Sequence, residues 1–187
     1  MAFKVVGIAA MARHGKDTVA EALVALGYER ISLADKLKEE VAGMFEGHEG
    51  FDLETLMHGD KGPLQRRVLQ IWGTEARREV FPDFWIWQWC VKALACAVAG
   101  KPGVVLADVR FHNEADYVHL CGGVLIGVDR GDFRDPDTDY SHASERHIPE
   151  ILAKADYTID NTGSLEKFNE NVSYALDELR LKPDKLS

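Results

Sequence analysis

The sequence contains few cysteines, and their spacing suggests neither a cross-linked scaffold nor a zinc site. Only three are present, Cys90, Cys96 and Cys121, and no two of them form a CxxC pair. An odd number without that spacing disfavours a disulfide framework and a structural zinc site. We therefore expect reduced thiols that are buried in the helices of a cytoplasmic protein.

Long apolar runs and long basic runs are also missing. The longest apolar stretch late in the chain, residues 93–99, is too short to span a bilayer, and the N-terminus has no basic leader or cleavage site. The formal net charge of −9, from 22 basic and 31 acidic residues, disfavours binding to a nucleic-acid polymer or to a membrane. A local basic pocket for a small phosphorylated ligand remains compatible with this charge. A homodimer also stays open.

Hydrophobic residues make up 46% of the 187 positions, enough for one domain that covers the whole chain. Short apolar runs predict strands at residues 3–10, 29–33, 104–107, 124–128 and 155–159. Apolar residues at helical spacing predict helices at about 16–26, 35–45, 64–79, 84–99, 113–121 and 165–180, with Asp83, Asn113 and Ser164 as caps. Residues 47–62 are predicted to form a surface excursion around a short helix. The alternation indicates an α/β fold with a mostly parallel sheet.

The stretch AMARHGKDT, residues 10–18, connects the first predicted strand directly to the first predicted helix. A helix that starts at the carboxyl end of a parallel strand presents unpaired N–H groups and the positive end of its dipole to a phosphate. Lys16 adds a charge that can reach the β- and γ-phosphates of a nucleotide, and Thr18 adds a hydroxyl. The consensus GxxxxGK[ST] is matched incompletely, because Ala10 replaces its first glycine and Asp17 follows the lysine.

Charged residues also follow the later strands. Asp108 ends a buried strand, where an acid that organises magnesium would lie, although a capping or salt-bridging aspartate explains it equally well. Glu114 follows on the same predicted edge of the sheet. Each arginine alone is more typical of an ordinary surface, but as a set they favour a phosphoryl-transfer site, which needs several fixed cations. The arginines in question are Arg66, Arg77, Arg110, Arg130 and Arg134.

The tryptophans and histidines give weaker signals. Trp85, Trp87 and Trp89 suit either stacking on a base or packing within the core, and core packing is the commoner case. The seven histidines show no metal-ligand spacing, and no Ser/His/Asp or Cys/His arrangement is supported.

Several longer segments together resemble the bacteriophage-type deoxynucleoside monophosphate kinases of the P-loop nucleoside monophosphate kinase superfamily. These segments cover most of the chain in the expected order, and GKDT, WGTE, DVRF and DNTGSL are more specific than a phosphate loop alone. They are ARHGKDTVAEAL (12–23), LQRRVLQIWGTEARRE (64–79), FW (84–85), VVLADVRFHNEA (104–115), GGVLIGVDR (122–130), HASE (142–145) and ADYTIDNTGSLEKF (155–168).

The resemblance implies a three-layer α/β/α core, a mobile lid at about residues 130–144, and transfer of the γ-phosphoryl group of ATP to a deoxynucleoside 5′-monophosphate. ATP and Mg²⁺ are the cofactors that it implies. The residues that it places at the ATP phosphates are Arg13, His14, Gly15, Lys16, Asp17 and Thr18, and those near adenine are Asn161, Thr162 and Gly163.

Further roles are implied in the same way. The catalytic set is Lys16, Asp108, Arg110, Arg130 and Arg134, and the metal is held directly or through water by Asp17, Thr18 and Asp108. The segments of the acceptor pocket contain Asp35, Lys36, Arg66, Gln70, Trp72, Gly73, Thr74, Arg77 and Trp85, with Glu114 added at the sheet edge.

Two other functions stay open. A P-loop kinase for another small acceptor, of the dephospho-coenzyme A type, shares the DNTGSL pattern but is not expected to contain WGTE. A nucleotide-binding P-loop protein without turnover is disfavoured by the presence of Lys16, Asp108 and several arginines. The sequence departs from the resembled family at Ala10, at Asp17 and in the HASE segment. If the chain is phage-encoded, we expect it in the cytoplasm of the host.

Overall fold

The structure is a computed structural model that describes residues 3–136, 138, 140–141 and 143–182. Positions 137, 139 and 142 of the expected lid lie outside the described residues, as do positions 183–187 at the C-terminus.

A five-stranded parallel sheet forms the centre of the fold. Its strands are β1 (Lys4–Ala10), β2 (Glu29–Arg30), β3 (Gly103–Leu106), β4 (Val124–Asp129) and β5 (Tyr157–Asp160). They lie in the order β2-β3-β1-β4-β5, and every adjacent pair is parallel. Strand β1 is central, and its Val6 and Ile8 are fully buried, as expected for a strand covered on both faces. The predicted α/β fold is confirmed.

The helices are α1 (Lys16–Ala25), α2 (Leu33–Met44), α3 (Leu53–His58), α4 (Pro63–Gln70), a π-helix (Ile71–Arg78), α5 (Phe84–Val98), α6 (His112–Leu120), α7 (Ala143–Arg146), α8 (Ile148–Leu152) and α9 (Leu165–Glu178). Helices α1 and α9 pack on one face of the sheet through a core that includes Val19, Leu23 and Phe168. Helices α6 and α8 pack on the other face against β1 and β4. These are the three layers that the resemblance implies.

Two helix starts differ from the prediction, and capping explains both. Helix α6 begins at His112, so Asn113 lies in its first turn and is not the cap; the Glu114 carboxylate accepts the N–H groups of Arg110 and Phe111 instead, at 2.7 and 3.1 Å. The second strand is shorter than predicted because Ser32 caps α2, accepting from the Ala34 N–H at 3.1 Å. Helix α8 was not predicted.

The chain divides into two compact units. The first contains the sheet and comprises the residues up to Ile31 and from Ala93 onward. The second is the intervening stretch from Ser32 to Lys92, whose own core is built on Val41, Phe51 and Leu56.

The cysteines are free, as predicted, but they are not all buried in helices. Cys90 and Cys96 are partly buried in α5, whereas Cys121 is exposed just beyond the end of α6. The expectation of buried thiols is wrong for Cys121, because the chain leaves the helix there and turns through Gly122. Among the described helices, none combines the length and the apolar content that crossing a membrane requires.

Candidate functional site

The loop between β1 and α1 has the backbone of a phosphate-binding turn. Arg13 and Gly15 have positive φ values of 59° and 104°. A Cβ atom on Gly15 would lie 2.7 Å from the Asn161 side chain and 2.9 Å from the Phe168 ring, so only glycine fits. No side chain caps α1 at Gly15, which leaves the first N–H groups of the helix available to an anion.

His14 ties this loop to the residues that follow β4. Its side chain is 1% exposed, its Nδ1 accepts the Arg130 N–H at 3.0 Å, and its Nε2 lies 3.1 Å from the Phe133 carbonyl oxygen. An imidazole that accepts at Nδ1 and donates at Nε2 is the neutral tautomer with its proton on Nε2. The start of the expected lid is thus hydrogen-bonded to a buried ring of the phosphate loop.

Asn161, just after β5, supports the same turn, and Asp160, the last residue of β5, binds the loop that follows it. The Asn161 side-chain amide donates to the His14 carbonyl at 2.8 Å, and its backbone N–H donates to the Asp129 carbonyl at 2.7 Å. Asp160 accepts the Thr162 N–H at 2.9 Å, and hydrogen bonds from Thr162 hold the Asp160 pKa below its usual range. Asn161 therefore holds the phosphate loop, whereas Thr162 and Gly163 are exposed.

Lys16 and Asp17 form an ion pair at the start of α1. The Lys16 Nζ donates to Asp17 Oδ2 at 2.8 Å, and Arg30 contacts the other carboxylate oxygen. Burial alone would raise the pKa of Asp17, but the hydrogen bonds and charges of Lys16 and Arg30 outweigh it and place that pKa below its ordinary value. Asp17 therefore holds both cations next to the turn.

The carboxyl end of β3 brings the second predicted group of residues to the same edge of the sheet, since β3 pairs with β1. Asp108 lies two residues beyond β3 and is partly buried. Arg110 forms an ion pair with Glu145, whose side chain is 6% exposed. Glu114 is 1% exposed and binds backbone N–H groups, so the structure gives it a local role in starting α6.

The two arginines of the expected lid contact Phe133, and Arg130 also contacts the phosphate loop. Arg130 stacks over the Phe133 ring at 4.4 Å and donates to the Arg13 carbonyl at 3.3 Å. Arg134 donates to the Phe133 carbonyl at 2.8 Å. Arg13 in turn pairs with Asp135 at 3.4 Å. Both ends of the segment 130–135 are therefore attached to the phosphate loop.

A second polar cluster lies within the second unit, around Glu40. Its Oε2 accepts from Trp72 Nε1 at 3.0 Å and from Arg77 Nε and Nη2 at 3.3 and 3.1 Å. The Arg77 guanidinium also lies over the Trp72 ring at 4.5 Å and the Phe84 ring at 5.1 Å. One carboxylate thus fixes both an aromatic ring and a cation.

The π-helix makes this cluster possible. Its turns close through bonds such as that from the Glu79 N–H to the Thr74 carbonyl at 3.1 Å, five residues apart. Trp72 and Arg77 are also five residues apart. At 100° per residue an α-helix would separate them by roughly 140°, whereas the wider π turn brings them to one face.

The other predicted acceptor residues have more local contacts. Asp35 accepts the Ser32 N–H in the cap of α2, and Lys36 pairs with Glu39 at 3.2 Å. Trp85 is 2% exposed and donates from Nε1 to the Gly73 carbonyl at 2.9 Å, which is the core-packing alternative. Arg66 is exposed and donates to the Lys61 carbonyl; Gln70 and Thr74 are partly buried.

Three contributors were missed by the sequence reasoning. Glu40 had no signal beyond being one acid among several on α2. Arg30 contacts the Asp17 carboxylate, and the Phe133 carbonyl lies beside the His14 ring. Both residues are distant from the loop in sequence, so only the fold brings them to it. The conspicuous signal was His14 itself, since a loop that only turns needs no histidine.

Comparison with known proteins supports a kinase. No family model matches the chain. A protein of Acanthamoeba polyphaga mimivirus described as "Putative deoxynucleotide monophosphate kinase" is 29% identical over 186 aligned residues, covering 87% of this chain and 91% of the relative.

Solved structures share the fold. A dephospho-CoA kinase from Campylobacter jejuni matches 94% of this chain and 96% of its own at a TM-score of 0.53 and 19% identity. The protein TT1252 from Thermus thermophilus matches 96% of this chain and 99% of its own at 0.55 and 20% identity. The chain has the α/β fold of the P-loop kinases.

Proposed function

We propose that this protein transfers the γ-phosphoryl group of ATP to a deoxynucleoside 5′-monophosphate and releases ADP and a deoxynucleoside diphosphate. The observation that carries the proposal is the uncapped start of α1 behind Gly15, with Lys16 as its first residue. The sequence similarity to the mimivirus relative supports the choice of acceptor.

The phosphate loop would bind the triphosphate. Backbone N–H groups of residues 15–18 would donate to oxygens of its β- and γ-phosphates. The Lys16 ammonium would leave the Asp17 carboxylate and contact the same phosphate oxygens as negative charge builds in the transition state. His14 and Asn161 keep the loop in this shape before the nucleotide arrives, so little ordering remains to be done on binding.

The residues proposed to hold magnesium suit that ion by their chemistry. Asp17, Thr18 and Asp108 offer the carboxylate and hydroxyl oxygens that Mg²⁺ prefers, and no softer ligand is needed. When bound, the ion would neutralise charge on the β- and γ-phosphates. Because Lys16 and Arg30 compensate the Asp17 carboxylate, we propose that Asp17 acts through a metal-bound water and that it sets the position of Lys16.

The Glu40 cluster would hold the acceptor. An arginine fixed by a carboxylate and stacked on indole is oriented before binding, and its remaining donors suit a phosphate monoester. The Trp72 ring would lie against the base. In the proposed reaction an oxygen of the acceptor phosphate attacks the γ-phosphorus of ATP. The bond between the γ-phosphorus and the β–γ bridging oxygen breaks, and ADP leaves.

We propose that the enzyme prefers 2′-deoxy sugars, because an added hydroxyl in a closely packed pocket would be buried without a partner. A coupled assay that measures ADP release with a panel of dNMPs, NMPs and dephospho-coenzyme A tests this. Phosphorylation of at least one dNMP, with weaker use of its ribonucleotide, is expected. Turnover of dephospho-coenzyme A without any dNMP would remove the proposed acceptor and leave the kinase, and no turnover at all would support a binding protein.

A further inference from the structure

We propose that His112, His147 and Glu150 bind a divalent transition-metal ion, Zn²⁺ in particular, at a site separate from the phosphate loop. One ligand atom from each of these residues lies within 4.8 Å of the other two. Zinc bonds to nitrogen and oxygen are about 2.0–2.2 Å long, so tetrahedral ligands lie roughly 3.3–3.6 Å apart. Small side-chain rotations would close the set around an ion.

The backbone already brings the contributing segments together. His112 is the first residue of α6, His147 directly precedes α8, and Glu150 lies in the first turn of α8. Two residues before each histidine, Arg110 and Glu145 form an ion pair between the same two segments. This ion pair holds the two segments beside each other, so the two histidines that follow it also lie next to each other.

The contacts within the cluster are those of a partly assembled ligand set. His112 Nε2 lies 2.9 Å from a Glu150 carboxylate oxygen, and the His112 and His147 rings meet edge to face with centroids 5.2 Å apart. The nitrogen that faces Glu150, Nε2, is therefore the one that would bind the ion. His112 Nδ1 lies on the other side of the ring; it is buried, and no hydrogen-bond partner for it exists among the part of the chain that the structure describes.

The pair of His119 and Asp156, in the same unit, is a histidine–carboxylate contact with which the cluster can be compared. His119 Nε2 lies 3.0 Å from Asp156, with side-chain exposures of 36% and 43%. Among the described residues, only the cluster of His112, His147 and Glu150 brings three metal-ligating groups this close. The pair of His119 and Asp156 is therefore a matched control.

The chemistry of the set indicates which metal it suits. Two imidazoles and one carboxylate form a donor set used for zinc, with water as the fourth ligand. Magnesium prefers six oxygen ligands and several waters, so this is not a site for the magnesium that accompanies ATP. Bound zinc would cross-link the start of α6 to the start of α8.

Calorimetric titration with Zn²⁺ in excess Mg²⁺ tests the proposal on the full chain. We expect one ion per chain for the wild type, binding at least tenfold weaker for His112→Ala and for Glu150→Gln, and unchanged binding for His119→Ala. The Glu150 side chain is 71% exposed, so Glu150→Gln leaves the fold intact even if His112→Ala does not. Bound Co²⁺ should show the visible absorption of a four-coordinate ion.

Thermal unfolding provides a second readout that is independent of catalysis. Zn²⁺ at 100 times its dissociation constant should raise the melting temperature of the wild type by about 5–10 °C, and that rise should be lost in Glu150→Gln. The site is refuted if Mg²⁺ displaces the zinc, if both cluster variants bind like the wild type, or if His119→Ala loses as much affinity as they do.

Discussion

Replacing His14 by alanine should destabilise the first unit and release the start of the expected lid from the phosphate loop. The ring makes two hydrogen bonds, from the Arg130 N–H and to the Phe133 carbonyl, and its side chain is almost fully buried. Each bond contributes about 1 kcal/mol, and a backbone group left buried without its partner adds about 1–3 kcal/mol. We expect a loss of about 2–4 kcal/mol in the free energy of unfolding.

Urea unfolding, together with amide hydrogen exchange at Arg130, measures this effect. His14→Asn is the informative companion, because the asparagine carbonyl can replace Nδ1 as an acceptor but cannot reach the Phe133 carbonyl. It should protect the Arg130 amide and recover about half of the lost stability. His119→Ala, at a surface pair, should change stability by less than about 0.5 kcal/mol. A His14→Ala variant as stable as this control, with an unchanged Arg130 amide, would refute the assigned role of the ring.

The other predictions concern the proposed reaction and acid stability. Lys16→Ala should lower kcat about 100-fold or more in a folded protein, and turnover within a few-fold of wild type would refute its role. Asp17→Asn should make the free energy of unfolding less dependent on pH at acid pH. The pKa of Asp17 is lower in the folded protein than its unfolded value near 3.8, so the carboxylate stabilises the fold above that value and loses this effect as the pH falls through the folded pKa. A urea midpoint with the same pH dependence in both proteins would contradict the ion pair. Arg77→Lys should raise KM for the acceptor about tenfold more than KM for ATP, because lysine keeps the charge but loses the two-donor contact with Glu40. Segment 130–144 should gain protection from hydrogen exchange with an analogue that joins both nucleotides, and equal protection without it would exclude lid closure.

The parts of the fold that depend on local signals were predicted well from the sequence. The run from β1 through Gly15 into α1 needs only an apolar strand, a residue that tolerates positive φ and helical spacing, and all three are visible within residues 3–26. The same holds for Ser164 as the cap of α9. Here local preference and tertiary structure agree.

The parts that failed depend on contacts between distant segments. Asn113 has the right chemistry for a cap, but Glu114 reaches back to the N–H groups before it and shifts the helix start. The π-helix follows a regular helical pattern in sequence, so hydrophobic spacing does not distinguish its wider turn. The cluster of His112, His147 and Glu150 brings a residue of α6 next to two residues at the start of α8, and no local pattern in the sequence marks that approach.

The wider helical turn at residues 71–78 also affects how the sequences of relatives would align with this chain. A homologue with an ordinary α-helix there would carry one residue fewer, so its tryptophan and arginine would be four positions apart and would still share a face. An alignment would show this as a one-residue gap between Trp72 and Arg77, with the contact to Glu40 retained. A second deletion would leave a spacing of three positions, which in an α-helix still keeps the two side chains on one face, whereas a spacing of two would place them on opposite sides. A search pattern with a fixed spacing between the two residues would therefore miss proteins that keep the same contact.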